Sequence, residues 1–501
     1  MQKLWLLLVL GSLTLMAACG GGGSSTIISV SVSCSPSNIQ YGQTSQCSAA
    51  VTGTGNFNAG VTWTASAGTI SSSGLFTAPS GGVTALQVTI TATSTQDTSV
   101  AGVATVTVST TQANNVQPIT VDAGPEPQSF SDVDEAFTSV TVCVHGTSTC
   151  QTIDHIQIDT GSEGLRLISS VLTIPLPQEN DSSGNPLDEC TVFADGYIWG
   201  PVATADITMA GEQASGAPVQ IIIPSSSSPA VPSSCSSQNP TGGIGNEGGS
   251  SNGNSVSTFG ANGIIGVGLF QQDCGPFCVS NSTNPTVYYG CTSSGCNPTT
   301  ATLAQQVPNP ITLFAIDNNG VQIHLPAVPN GGTASVQGSM IFGIGTQSNN
   351  GLGSANVFPV PDSGTFAGNI IATFNGKSYP NSFIDSGSNG LFFLDSGTTG
   401  IAMCAAPNST WYCPVTSPDN LSATNQGQDA NGNPLGTAGT VNFAIEDATS
   451  LFNTGNTAFS TLGAPNPGAF DWGLAFFFGR NVFTAIDQMS TPAGPGPYFA
   501  Y

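Results

Sequence analysis

The sequence predicts an all-β protein of more than one domain. Three observations carry that expectation. At 501 residues the chain exceeds the usual size of a single domain. Only 6% of its residues are charged, while Gly numbers 62 and Pro 33. Low charge with abundant Gly, Ser, Thr and Val suits short strands joined by long loops. Apolar residues alternate with polar ones, as in Leu86, Val88, Ile90 and Ala92, which is the period of a half-buried strand.

The first element is an export signal over residues 1–19, with Lys3 as its positive start and Leu4 to Leu10 as its apolar core. Leu15-Met16-Ala17-Ala18-Cys19 resembles a bacterial lipobox, which implies lipidation at Cys19 and anchoring of the N-terminus in a membrane. Gly20 follows in place of the Asp that retains lipoproteins at the inner membrane. The expected location is therefore the cell envelope, at the outer membrane of a Gram-negative cell. Apart from the signal, no apolar run approaches the ~20 residues that span a bilayer. Residues 20–26 read as a flexible leash.

Residues 27–110 read as short strands with turns between them. Val61 to Ala65 and Val103 to Val108 repeat the alternation seen after Leu86. Val61-Thr62-Trp63 and Gly74-Leu75-Phe76-Thr77-Ala78-Pro79 resemble bacterial immunoglobulin-like domains. Nothing in this segment looks catalytic, and a spacer or binding role is expected. Thr111 to Asn115 reads as a polar linker. Pro224 to Ser257 reads as a loose Ser/Gly/Pro/Asn-rich loop. Gly249 to Gly253 has nucleophile-elbow spacing but lacks the flanking strand and helix that motif needs.

The chain has 13 cysteines, and setting Cys19 aside leaves 12, an even number in an exported chain. Proximity suggests the pairs Cys34 with Cys47, Cys143 with Cys150, Cys274 with Cys278, Cys291 with Cys296, and Cys404 with Cys413. Cys190 and Cys235 remain for each other. No metal site is expected, because the only three His are scattered at 145, 155 and 324. Four basic residues stand against 28 acidic ones. That balance excludes nucleic acid as a partner, since phosphate contacts need Lys and Arg. It suits work at low pH and equally suits a simple solubility or export bias.

The residues that carry chemistry occur twice. Ile158-Asp159-Thr160-Gly161-Ser162-Glu163-Gly164-Leu165 returns as Ile384-Asp385-Ser386-Gly387-Ser388-Asn389-Gly390-Leu391, identical at six of eight positions. In each copy the Gly permits a tight turn that aims backbone N–H groups at the carboxylate. The following Ser, Ser162 or Ser388, is placed to donate to it. Thr160 and Ser386 are placed to tie the two turns together. Two carboxylates held close cannot both ionise and so share one proton. The ionised member activates water and the protonated one polarises a peptide carbonyl.

With these residues in hand, the region from 116 to 501 resembles a pepsin-type aspartic protease, and more closely a bacterial family of exported pepsin-like proteins. The resemblance extends past the two Asp turns. Ile264-Ile265-Gly266 resembles the hydrophobic-hydrophobic-Gly element beneath the first turn, and Phe477-Phe478-Gly479 is expected beneath the second. Val482 to Asp487 resembles the closing strand. Phe193-Ala194-Asp195-Gly196-Tyr197, then Gly200 and Asp206, falls where the flap hairpin should lie. The resemblance implies an immunoglobulin-like β-sandwich followed by a bilobal pepsin-like domain, with lobes over 116–350 and 351–501. It implies Asp159 and Asp385 as catalytic pair, Phe193, Gly196 and Tyr197 over an extended peptide or protein substrate, no cofactor, and a monomer.

Two departures from the family pattern bear on activity. Phe193 stands where the flap usually carries Tyr, so the hydrogen-bonding hydroxyl is missing and Tyr197 or Trp199 would have to substitute for it. Arg166 stands seven residues after Asp159, where Trp is usual. It either favours the ionised dyad or pairs with Glu163 or Asp154 and leaves the dyad alone. Asp395-Ser396-Gly397-Thr398 competes as the second Asp turn, and Asp385 is preferred because its surroundings repeat those of Asp159. The alternative to an enzyme is a surface binding or adhesion protein that keeps the pepsin-like shape without its chemistry. The acidic turns at Asp317 and Asp429 lack the closing Glu of a calcium loop and read as polar turns.

Overall fold

The computed structural model describes residues 25–40, 43–79, 86–109, 115–125, 133–194, 196–224, 227–237, 251–252, 254–280 and 285–501. The export signal, Cys19 and most of the leash lie outside the described residues, as do residues 111–114, Asp195 and much of the loop between Pro224 and Ser257. Two compact units form, Met1–Gln112 and Ala113–Tyr501.

The first unit is a pair of four-stranded sheets. One sheet orders its strands Thr26–Ser35, Thr44–Thr54, Leu75–Thr77 and Thr69–Ile70; the other orders them Asn38–Gln40, Ala101–Ser109, Leu86–Ser94 and Val61–Ala65. Alternation decides which side chains face inward. Val88, Ile90 and Ala92 are fully buried, while Gln87 and Thr89 are exposed and Thr91 is half-buried. Both sheets contribute to one core, with Cys47 and Phe76 from the first meeting Ile39, Val88, Ile90, Val106 and Val108 from the second.

The second unit is built from a sixteen-stranded sheet and a seven-stranded sheet. In the middle of the larger sheet, Cys150–Asp159 pairs antiparallel with Ala136–Val144 and parallel with Gly263–Val267. Glu163–Ile168 lies antiparallel on the other side of Gly263–Val267. The chain thus runs out along one strand, turns at Asp159, and returns with a third strand threaded between. From there to one end of the sheet the order is Val116–Val121, Val336–Phe342, Gly320–Leu325, Arg480–Ala485, Tyr498–Ala500 and Val357–Pro359. Segments from both sides of residue 350 share this platform.

The seven-stranded sheet forms the second lobe and repeats the threaded arrangement. Lys377–Ile384 lies parallel to Asn466–Trp472, which is antiparallel to Leu391–Leu394. The two lobes are packed with different side chains. Ile153, Ile156 and Ile158 pack with Ile265 and Val267 of the first threaded strand. Phe374 and Phe393 pack with Phe470 and Trp472 of the second, with Phe393 stacked on Phe470 at 5.3 Å and Phe470 on Trp472 at 5.1 Å. Offset stacks of this kind add to the burial of large rings.

All six disulfides have the pairing that proximity suggested. Cys34 with Cys47, Cys143 with Cys150, and Cys291 with Cys296 sit directly opposite each other on antiparallel strands. Asn115 departs from the expected linker. It is buried, donates from Nδ2 to the Phe342 carbonyl at 2.9 Å, and accepts the Phe342 N–H at 2.8 Å. Its side chain anchors the start of the second unit. Among the described residues no helix is long and apolar enough to cross a membrane.

Candidate active site

Each Asp turn leaves the end of a buried strand, so its carboxyl is held by backbone geometry. Asp159 accepts the Gly161 N–H at 2.7 Å on Oδ1 and the Ser162 hydroxyl on Oδ2. Asp385 accepts the Gly387 N–H at 2.8 Å on Oδ1 and the Ser388 hydroxyl at 2.9 Å on Oδ2. The two turns face one another. A Cβ at Gly161 would lie 2.7 Å from the Asp385 Cγ, and one at Gly387 would lie 2.5 Å from the Asp159 Oδ1. Each glycine is therefore the space in which the opposite carboxyl sits.

Beneath the carboxyls the turns exchange hydrogen bonds. The Thr160 N–H donates to Ser386 Oγ at 3.1 Å, and the Ser386 N–H donates to Thr160 Oγ1 at 2.9 Å. Ser386 Oγ in turn donates to the Ile158 carbonyl at 2.8 Å, and Thr160 Oγ1 to the Ile384 carbonyl at 3.5 Å. The exchange is two-fold in pattern and fully buried. It fixes the separation of the turns with groups that have no water to fall back on.

Each carboxyl thus lies against the opposite turn, and the Asp159 carboxyl bears directly on that of Asp385. Burial first, then the neighbouring Asp159 and Asp471 charges, hold the Asp385 carboxyl well above the usual carboxylate range. Two further acids stand close. Burial pushes Glu163 up to about 8, and the Phe270 N–H donating to its Oε1 at 3.1 Å offsets part of that. Burial likewise pushes Asp471 up to about 8 against a hydrogen bond from Ser388. Nothing in the duplicated phrase distinguishes Glu163 as part of an acidic surround. Asp471 was signalled only as a lone acid in the apolar run Phe470-Asp471-Trp472.

The support beneath the second turn differs from the expectation. Asp159 sits opposite Gly266, as the sequence implied. Its counterpart under Asp385 is Asp471-Trp472-Gly473, because Ile384 pairs with Trp472 and a Cβ at Gly473 would collide with the Ser388 and Gly390 carbonyls. Phe477-Phe478-Gly479 is not that element. It follows the short helix Leu474–Phe477, and Phe478 pairs with Leu325 of the shared platform. The hydrophobic-Gly pattern occurs twice within a few residues, and the copy containing a charged residue is the one that packs under the turn.

Arg166 pairs with neither of the partners proposed for it. Its guanidinium is fully buried, with Nη2 2.8 Å from Glu189 Oε1 and 3.1 Å from Asp273 Oδ2. Nε donates to Thr191 Oγ1 at 3.0 Å, and Nη1 donates to the backbone carbonyl of Glu163, not to its carboxyl. Asp154 is exposed and receives Asn262 instead. The rival turn at Asp395 is a helix cap, accepting the Thr398 N–H at 2.8 Å at the head of Ser396–Thr399. The acidic turns at Asp429 and Asp317 bind their own loops, with Asp429 accepting from Asn431 and Asn433 and Asp317 from Thr346 and Gln347.

The hairpin of Leu187–Val192 with Gly196–Met209 turns at Phe193, whose N–H donates to the Gly196 carbonyl at 2.8 Å. Phe193 packs half-buried against Ile168, Ile198, Ile222 and Val256. Tyr197 and Trp199 face the other way, into a cluster with Cys190, Cys235 and Tyr289. The Trp199 Nε1–H is taken by the Pro229 carbonyl at 3.2 Å. Among the described residues no group of three or more His, Cys, Asp or Glu is arranged to hold a metal. A separate groove of about 630 Å³ in the second unit, lined by Leu421, Phe443, Phe476 and Arg480 among others, includes neither Asp159 nor Asp385.

The family described as "Protein of unknown function (DUF3443)" matches residues 111–501, most of the chain and all of both Asp turns. The chain belongs to this family. Members of the family thus share a segment that coincides with the second unit and leaves the first outside it. No curated protein matches the chain. Among solved structures, an aspartic proteinase from Irpex lacteus is similar at 13% identity, over 77% of this chain and 96% of that one, with a TM-score of 0.42.

Proposed function

We propose that the second unit is an aspartic endopeptidase, hydrolysing peptide bonds with a water activated between Asp159 and Asp385. The observation that carries this reading is the mutual seating of two carboxyls, each in the gap left by the other's glycine. In the working state Asp385, whose carboxyl burial and the neighbouring acids hold above the usual range, keeps the proton of the pair, and Asp159 serves as the base. Asp159 takes a proton from water as the water oxygen attacks the peptide carbonyl. Asp385 gives its proton to the carbonyl oxygen, producing a neutral gem-diol. Asp159 then gives its proton to the amide nitrogen while Asp385 takes one from a gem-diol hydroxyl; the C–N bond breaks to a carboxylic acid and an amine, and the starting pair is restored.

The main sequence argument for an inactive binder is weakened by the position of Arg166, whose charge is met by Glu189 and Asp273 away from the dyad. We also propose that the unit is exported and tethered through lipidated Cys19, with an immunoglobulin-like first unit as spacer. The supporting observations are the lipobox-like sequence and the two-sheet core of residues 27–109. The test for peptidase activity compares two Asp→Asn variants on a denatured protein at acid pH. Asp385→Asn should abolish cleavage, whereas Asp395→Asn should retain it, because Asn is an equally good helix cap. Loss in both variants, or in neither, overturns the assignment of Asp385.

A further inference from the structure

We propose that Arg166 is a positioning residue that locks the base of the Phe193 hairpin to the Asp159 turn. The side chain bridges three elements that sequence keeps far apart. It starts on the strand leaving the Asp turn and holds the Glu163 carbonyl, four residues after Asp159. It then reaches Thr191 and Glu189 on the outgoing hairpin strand, two and four residues before Phe193. It ends on Asp273, in the loop that follows the threaded strand Gly263–Val267.

The surroundings are built to hold it. Thr191 Oγ1 donates to Glu189 Oε1 at 2.6 Å, and Gln220, directly opposite Arg166 on the neighbouring strand, donates to the Glu189 carbonyl at 2.8 Å. Tyr288 donates its hydroxyl to Asp273 at 2.8 Å and accepts the Val307 N–H at 2.8 Å. Arg166, Glu189 and Tyr288 are all fully buried. One cation therefore faces two buried carboxyls, its Nη2 lying 2.8 Å from Glu189 Oε1 and 3.1 Å from Asp273 Oδ2. Against its burial, Arg166 pulls the Glu189 carboxyl below the usual range, while burial and the Glu189 charge push that of Asp273 well above it. With one of the two carboxyls ionised the cluster is neutral, which lets a guanidinium remain in a dry interior.

This charge count makes a sharp prediction that needs no catalytic assay. Either acid alone is dispensable, because the other then carries the negative charge. Glu189→Gln and Asp273→Asn should each melt within a few degrees of the parent. The double variant strands the buried cation and should melt far lower than the two single losses added together. A double variant as stable as either single one overturns the shared-charge arrangement.

The positioning role is tested by site-resolved hydrogen exchange on the whole protein. In Arg166→Gln, amides of Thr191 to Trp199 should exchange about tenfold or more faster, while amides of Val140 and Val142 keep their protection. Unchanged exchange in the hairpin, or equal acceleration throughout the unit, overturns the proposal. The consequence for catalysis rests on the peptidase reading. If the hairpin closes on substrate, Arg166→Gln raises KM more than it lowers kcat. Absence of cleavage by the parent protein would sink the peptidase reading and leave the exchange result to decide the clamp.

Discussion

Asp159 and Asp385 receive the same pair of donors from the same positions of the same phrase, yet their surroundings differ in charge and in packing. The first turn rests on Ile264-Ile265-Gly266 in an aliphatic core and leads to Glu163 and buried Arg166. The second rests on Asp471-Trp472-Gly473 among stacked aromatics and leads to Asn389 and Phe392. Backbone geometry that must hold a carboxyl in place is repeated closely. Groups that set how tightly it holds a proton are not. A duplicated turn builds the pair, and the unequal surroundings give its two members unequal roles.

The largest expected effect removes the equivalence of the two turns by crowding one carboxyl. Gly161→Ala places a methyl on Asp385 and Gly387→Ala places one on Asp159. A displacement of about 1 Å at reacting groups costs on the order of 100-fold in rate, so kcat for a peptide should fall at least that far in both variants. A fall in only one would show that the carboxyls are not mutually seated.

Next in size is the buried exchange beneath the turns. Ser386→Ala leaves the Thr160 N–H and the Ile158 carbonyl without that partner, and about 1–3 kcal/mol of stability should be lost in denaturant unfolding. Thr160→Ala likewise strands the Ser386 N–H, but the other contact it loses, to the Ile384 carbonyl, is long at 3.5 Å, so it should cost less. The reverse order would contradict the reading of the exchange.

The acidic surround gives a pH dependence whose sign follows from the direction of the shifts. Glu163 rises from 4.5 to about 8 and Asp471 from 3.8 to about 8, while Asp188 rises to about 7, in each case mainly through burial. A carboxyl raised on folding binds more protons in the native than in the unfolded state between those values. Stability is therefore fully present below about pH 4 and is lost as pH rises towards 8. The melting temperature should fall between pH 4 and pH 8, by about 2–4 °C for each kcal/mol involved. The smallest effect is local. Glu163→Gln and Asp471→Asn should each flatten that slope, and an unchanged slope would mean that neither acid is desolvated as described.

Much of this was legible in the sequence because it depends on local pattern. Alternation at Leu86 to Ala92 announced a strand, and a phrase repeated at six of eight positions announced the paired turns. Cysteine proximity announced the disulfides because hairpin strands place near neighbours opposite each other. What was not legible depends on contacts between distant segments. Arg166 meets Glu189 and Asp273 only after the hairpin and the loop beyond Val267 have folded against it. Phe477-Phe478-Gly479 matched the expected pattern better than Asp471-Trp472-Gly473, but strand pairing selects the latter. An acid in an apolar run looks like an error until the carboxyls it faces are known.

The most direct measurement follows the digestion of an acid-denatured protein by the full chain and by Asp159→Asn from pH 3 to pH 7. The shared-proton pair predicts cleavage by the parent that is strongest on the acid side and a loss of about 1,000-fold in the variant, within the range for removing a positioned acid–base group. Equal cleavage by the two proteins, or none by either, would contradict the account.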